Sequence, residues 1–276
     1  MPNFIVGARL HDYGKGTPDE LFGQVSADGF AAVQLAYKKC VPTVKSYADV
    51  TDGLVAETVA AEKAHHIQVA VLGTYVELAI NDESRLCNVA DFKSQLAVCK
   101  ALGAGCIGTE TTAMSKQPAG TTRAQAQELL CRSLAEILPA AEALGVTVGI
   151  EPVTYHSMNS AAATRHILDT MRSPNLKVIF DMSNLVDAGN VGAQDRIWND
   201  VGELLGDQIV AVHFKGQAFA PDGGLLHTSL EDSLTDYAGA FAMLRQLPQD
   251  ALPVLREEAV PARAASDIAF MRGFFA

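Results

Sequence analysis

Several things are scarce in this chain, and each scarcity argues against a class of function. Positive charge is short: 21 Lys and Arg stand against 32 Asp and Glu, a net charge of -11. A surface that grips nucleic acid needs basic residues to neutralise phosphates, so no nucleic-acid partner is expected. No uninterrupted apolar run approaches the ~18 residues of a membrane span, so no membrane partner is expected either. The start of the chain, MPNFIVGARLHDYG, has neither a basic stretch nor a long apolar segment, and no signal peptide is expected there. The five cysteines are scattered, with no C-x-x-C pair, and Cys99, Cys106 and Cys131 sit in apolar segments as small core residues. That usage fits a reducing, cytoplasmic setting. No Gly-rich phosphate fingerprint follows the first apolar run, which argues against an open, dinucleotide-binding sheet.

What the chain has instead is alternation. Short apolar runs rich in Val and Ile recur: NFIVGA (3–8), AAVQLA (31–36), IQVAVL (67–72), AGCIGT (104–109), VTVGIE (146–151), LKVIFD (176–181), QIVAVH (208–213) and LPVLRE (252–257). They are too short for helices and have the composition of strands buried on both faces. Between them lie helical patterns. TPDELFGQVSADG offers Thr17 as N-cap, Pro18 at the first helical position, Glu20 three residues after the cap and a glycine stop. Segment 121–145 has apolar residues at helical spacing and ends in Gly145, and SAAATRHILDTMRSPN and SDIAFMRGFF behave similarly. Eight strand–helix units without a long linker predict an α/β fold, a single (β/α)8 TIM barrel spanning residues 1–276.

In such a barrel the active site lies at the C-terminal ends of the strands. Strand five ends in GIEP with Glu151, strand six in VIFD with Asp181, strand seven in VAVH with His213, and strand eight in VLREE. The steps are 30 residues from Glu151 to Asp181, 32 to His213 and 44 to Glu257. One βα unit is roughly 30 residues, so these side chains recur once per unit on one side of the mouth. The longer last step reflects KGQAFAPDGGLLHTSLED, read as a polar, Gly-rich loop over the site. A single acidic residue at a strand end is usually a cap, and a single histidine a satisfied core residue. Four at matching positions in consecutive units point to a metal site, because clustered carboxylates repel unless a cation or a proton sits between them. The mostly oxygen donor set suits one divalent ion, Mn²⁺, Mg²⁺ or Co²⁺, better than structural zinc, with Zn²⁺ as the alternative.

These motifs, in this order and spacing, resemble the xylose isomerase-like barrels, specifically the sugar phosphate isomerase/epimerase group of ketose 3-epimerases and hydroxypyruvate isomerase. ELFGQVSADGFAAVQLAY resembles the family's first helix and second strand, and VAVLGTYVEL its third strand. GIEP, SPNLKVIFDMSNL, AVHFKG and LPVLREE match the four metal-bearing strands. The resemblance implies one divalent metal held by Glu151, Asp181, His213 and a strand-eight glutamate. It further implies that the two glutamates act as acid/base partners on opposite faces of the substrate carbon, through a metal-stabilised enediolate. The implied substrate is a small carbohydrate or polyol, and a homo-oligomer is left open. Three positions depart from the family: Asn184 stands where many members have a histidine, Phe219 where the epimerases have an arginine, and Ser157, beside His156, where they have a second carboxylate. The competing reading is therefore a metal-dependent dehydratase or lyase on a cyclic polyol or inositol-like ketone. Abasic-site nucleases share the barrel but use three zincs and extra histidines, which the charge and Asn184 argue against.

Alternation along the last strand chooses between its two glutamates. With Glu257 as ligand, the inner residue two positions earlier is Leu255, in series with Gly149, Ile179 and Ala211. With Glu258, Arg256 would point into the packed barrel, which costs heavily. Glu257 is therefore the predicted ligand and acid/base, with Arg256 and Glu258 both turned outward. Further mouth residues are Arg9 and His11 after strand one, Lys38 and Lys39 after strand two, and Tyr75 and Glu77 after strand three. Glu110 ends strand four, His156 follows strand five, and Lys215 shares the face of His213. Asn184, His156, Lys215, Glu110, His11 and Arg9 are candidate substrate contacts; for Lys215, balancing the carboxylate charge is an equal alternative.

Overall fold

In a computed structural model describing residues 1–276, eight parallel strands close into one barrel. They are β1 (Asn3–Arg9), β2 (Ala32–Leu35), β3 (Gln68–Gly73), β4 (Cys106–Glu110), β5 (Val148–Glu151), β6 (Leu176–Asp181), β7 (Ile209–Phe214) and, after a hairpin described below, β10 (Ala251–Arg256). β1 closes the ring by pairing with both β2 and β10. The eight apolar runs therefore form eight strands, with bounds that differ by at most two residues.

The helices follow their local signals. α1 (Pro18–Ala27) starts in the expected capping box: Thr17 N donates to Glu20 Oε2 at 2.9 Å and Glu20 N to Thr17 Oγ1 at 3.3 Å. A one-turn helix α2 (Tyr37–Cys40) precedes α3 (Asp52–His65) and α4 (Asp82–Leu102). α5 (Arg123–Leu144) is capped by Thr122 and stopped by Gly145 at φ 67°. α6 (Ala161–Met171), α7 (Gln194–Leu205), α8 (Tyr237–Leu244) and α9 (Ala264–Arg272) complete the outer ring.

Two apolar layers hold this together. A large core fills the space between barrel and helices, and a small cluster of Ala32, Ala70, Val71, Cys106, Ile179, Ala211 and Leu255 plugs the barrel itself. The inner series expected beneath the strand ends is thus present. Gly149 belongs to it because a Cβ there would lie 2.8 Å from Ile179 Cγ1 and 3.3 Å from Cys106 Sγ. This plug is the floor on which the polar strand ends stand.

The segment expected to be a polar loop after β7 is ordered. It forms an antiparallel hairpin of β8 (Gly216–Phe219) and β9 (Leu225–Thr228). Its turn is built by Gly223 at φ 84° and by Asp222 Oδ1 accepting from Gly224 N at 2.9 Å, a chemistry that a reading of glycine and proline as mere loop overlooks. No helix is long and apolar enough to cross a membrane.

Candidate metal centre

Strand register sets the height of each polar residue. Glu110 stands opposite Glu151 across β4–β5, and Asp181 opposite His213 across β6–β7. Glu257 is the first residue past β10, where its N–H donates to Phe214 O at 3.0 Å. Glu151, Asp181, His213 and Glu257 are all buried. One donor atom from each of Glu151, Asp181 and His213 lies within 4.8 Å of the others. Glu257 stands outside that tight trio but reaches it through the imidazole: His213 Nδ1 is 3.2 Å from Glu151 Oε2 and 3.4 Å from Glu257 Oε1.

Neither ring nitrogen of His213 makes a hydrogen bond. A buried imidazole without a hydrogen bond, set among three carboxylates, is a donor arrangement that a hard divalent cation can take. The residues therefore fit the metal the sequence implies. Burial works against a charged His213, but Glu257 and Glu151 outweigh it and lift its pKa to about 9. Burial likewise works against an ionised Glu257, yet His213, Lys215 and Arg9 pull it down to about 2.

Lys215, 8% exposed, sits inside this cluster. Its Nζ is 2.9 Å from Asp181 Oδ2 and 3.6 Å from Glu257 Oε2, and it donates to Asn184 Oδ1 at 2.8 Å. Its carbonyl accepts from Ser183 Oγ and Tyr237 OH, both at 2.8 Å, which pins the stem. Asn184 in turn donates through Nδ2 to Glu151 Oε1 at 2.6 Å, and its N–H donates to Asp181 Oδ1 at 2.9 Å. Asn184 and Lys215 thus bind the acidic residues to each other, so charge balance is visible in the geometry.

Arg9 does the same from β1. It bonds Asp12 Oδ1 through Nε (3.0 Å) and Nη2 (2.7 Å), and lies 3.8 Å from Glu257 Oε2 and 2.8 Å from Glu258 Oε1. This corrects the expected direction of Glu258. Arg256 does turn to the helix layer, where Nε donates to Asp267 Oδ2 of α9 at 2.8 Å and another nitrogen to Glu257 O. Glu258 does not follow it. The strand has ended, its φ of 54° is left-handed, and the chain curls back so that the 40%-exposed carboxylate meets Arg9 at the mouth.

The remaining candidates differ in state. His11 packs edge-on against Tyr75 at 5.6 Å, its Nδ1 is buried without a partner, and burial, Arg9 and Lys39 push its pKa down to about 3. Burial holds His156 down at about 4; its ring lies edge-on to Tyr155 at 4.7 Å. Both are neutral bases. Glu110 lines the central pocket with no hydrogen bond or ion pair to its carboxyl, and burial and Glu151 raise it to about 7. Because the folded state holds that proton more tightly than the unfolded chain, the metal-free protein loses stability as pH rises from about 4.5 to about 7. Glu110→Gln lacks that loss. In melts across this range the variant is expected to gain on wild type by on the order of 1–3 kcal/mol, and a constant difference would refute the assignment.

Sequence reasoning passed over Gln34 and the Arg256–Asp267 pair. Gln34, the lone polar residue of AAVQLA, donates from Nε2 to Tyr75 OH at 2.9 Å and lines the pocket. Arg256 and Asp267 form an ion pair with both side chains at most 2% exposed. Asp267→Ala leaves Arg256 buried and uncompensated, and is expected to cost about 3–5 kcal/mol in urea unfolding.

The chain matches the xylose isomerase-like TIM barrel family over residues 22–273, and it belongs to that family. Among solved structures it is similar to a D-tagatose 3-epimerase-like protein (12% identity, TM-score 0.76, 99% of this chain and 97% of the other). It is also similar to a xylose isomerase-like TIM barrel protein from Mycobacterium smegmatis in complex with magnesium (13%, 0.74, 98% and 96%). A third is the 3-keto-D-glucoside 4-epimerase of E. coli (17%, 0.72, 98% and 100%). At these identities the likeness is one of fold. No curated protein matches the sequence.

Proposed function

We propose that the protein is a divalent-metal-dependent isomerase or epimerase of a small carbohydrate. The observation that carries this reading is the convergence of two buried glutamates, Glu151 and Glu257, on the same His213 nitrogen, 3.2 and 3.4 Å away. Glu151, Asp181, His213 and Glu257 would hold the ion, with Mn²⁺, Mg²⁺ and Co²⁺ the ions that suit the donors. When bound, the ion supplies Lewis-acid stabilisation of the negative charge left when a proton leaves carbon beside a carbonyl.

The chain's own residues supply the rest. Glu257, kept ionised by its cationic neighbours, is the base that removes the proton. Glu151, protonated from solvent, is the acid that returns one, its Oε1 held by the Asn184 amide. Lys215 and Arg9 balance the cluster and offer donors to substrate oxygens. His11 and His156, held neutral, accept or donate to hydroxyl groups without adding charge. The fold of the magnesium-bound relative and the sugar epimerases among the similar structures supports the same reading. The test is exchange of a carbon-bound sugar proton for deuterium in D2O. The metal-loaded protein should catalyse it on at least one member of a ketose and keto-sugar panel and lose it on chelation; no exchange on any member overturns the reading.

A further inference from the structure

The free space among the carboxylates at the barrel floor is about 10 Å³. That is room for about one water-sized sphere, not for a sugar. Tyr75 lines this space: its hydroxyl is held by Gln34, its ring carries the Lys39 ammonium 3.1 Å from the centroid, and its backbone sits at φ 54°. With these side chains in place, the body of a substrate has to lie elsewhere.

A space of ligand size opens one side chain away. The loops after β5 and β6 and the β8–β9 hairpin enclose a cleft of about 370 Å³, within the roughly 300–1,000 Å³ of small-molecule sites. Its inner wall is Asn184, the residue whose amide is bonded to Glu151 and to Lys215. Its outer walls are Tyr155, Phe219 and Leu225. Tyr155 is 54% exposed and Leu225 42% exposed, an aromatic ring and an alkyl side chain left facing water beside a polar centre. Arg123 also lines the cleft, with one nitrogen on His156 O and no carboxylate within ion-pair distance, so it has donors to spare. Apolar walls that cover the C–H faces of a ring, with a few fixed donors for its hydroxyls, are the makings of a sugar-ring site.

Resting on the isomerase reading of the metal centre, we propose that this cleft is a second sugar subsite. The substrate is a ketose bearing a further ring, which lies between Tyr155 and the β8–β9 hairpin while the ketose end reaches past Asn184 to Glu151. A bare monosaccharide would leave the two apolar walls wet.

The test is calorimetric titration of the Mg²⁺-loaded protein with fructose and with isomaltulose, a fructose carrying a glucosyl ring. Isomaltulose is expected to bind at least tenfold tighter. Tyr155→Ala, and Leu225→Ser on the hairpin, should cut that advantage to less than threefold while leaving fructose affinity and the melting temperature unchanged. Equal affinities in wild type, or an advantage that survives both variants, overturns the subsite. Proton exchange in D2O on the same samples separates the two conclusions. Preferential binding without exchange leaves the subsite standing and removes the isomerase reading; exchange of both sugars with equal affinity does the reverse.

Discussion

Glu257→Gln should reduce sugar proton exchange by about 10²–10⁴-fold, the usual contribution of a positioned acid/base group. The amide keeps the size of the side chain but can neither take a proton nor balance His213 and Lys215, which lie 3.4 and 3.6 Å from the present carboxylate. Glu258→Gln, one residue on, should stay within about threefold of wild type, because its carboxylate meets Arg9 at the mouth and makes no contact with His213 or Lys215. The pair of variants separates the two glutamates by function. If both lose activity equally, the effect runs through Arg9, which touches both, and the assignment to Glu257 fails.

The second large effect concerns metal and stability together. A ligand that binds only the folded state stabilises it by RT ln(1 + [L]/Kd), about 2.7 kcal/mol at a hundredfold excess over Kd. For a chain of this length that corresponds to a rise of roughly 5–10 °C in melting temperature. Mn²⁺ or Mg²⁺ should produce such a rise in wild type. Asp181→Asn should abolish it, since the fully buried Asp181 presents one of the three closest donors. His213 carries a proton up to about pH 9 without metal, and the ion must displace that proton. The metal-induced rise should therefore grow as pH increases from 6 toward 9. A rise independent of pH, or one retained by Asp181→Asn, places the ion elsewhere.

The barrel was legible because its signal is local and repeated. Each buried parallel strand must be a short apolar run, and each run ends where the barrel opens to water, so Glu151, Asp181 and His213 announce themselves as the first charged or polar residues after apolar stretches. The same alternation that put Leu255 inward also separated Glu257 from Arg256. It failed at Glu258 because alternation holds only within a strand, and the left-handed turn begins as the strand ends. The β8–β9 hairpin was illegible for a related reason: its strands are four residues each, too short for periodicity to outweigh the glycines of the turn. Gln34 on Tyr75 and Arg256 on Asp267 are contacts between elements, 41 and 11 residues apart, and nothing in either partner's local pattern specifies the other.

The claim on which the rest depends is that Glu151, Asp181, His213 and Glu257 share one divalent ion. Anomalous scattering from crystals soaked in Mn²⁺ tests it most directly. A single peak about 2.0–2.4 Å from a donor atom of each of the four residues is the predicted result. A protein that shows no peak there at millimolar Mn²⁺, or one whose ion sits away from His213 with Lys215 still bonded among the carboxylates, would contradict it.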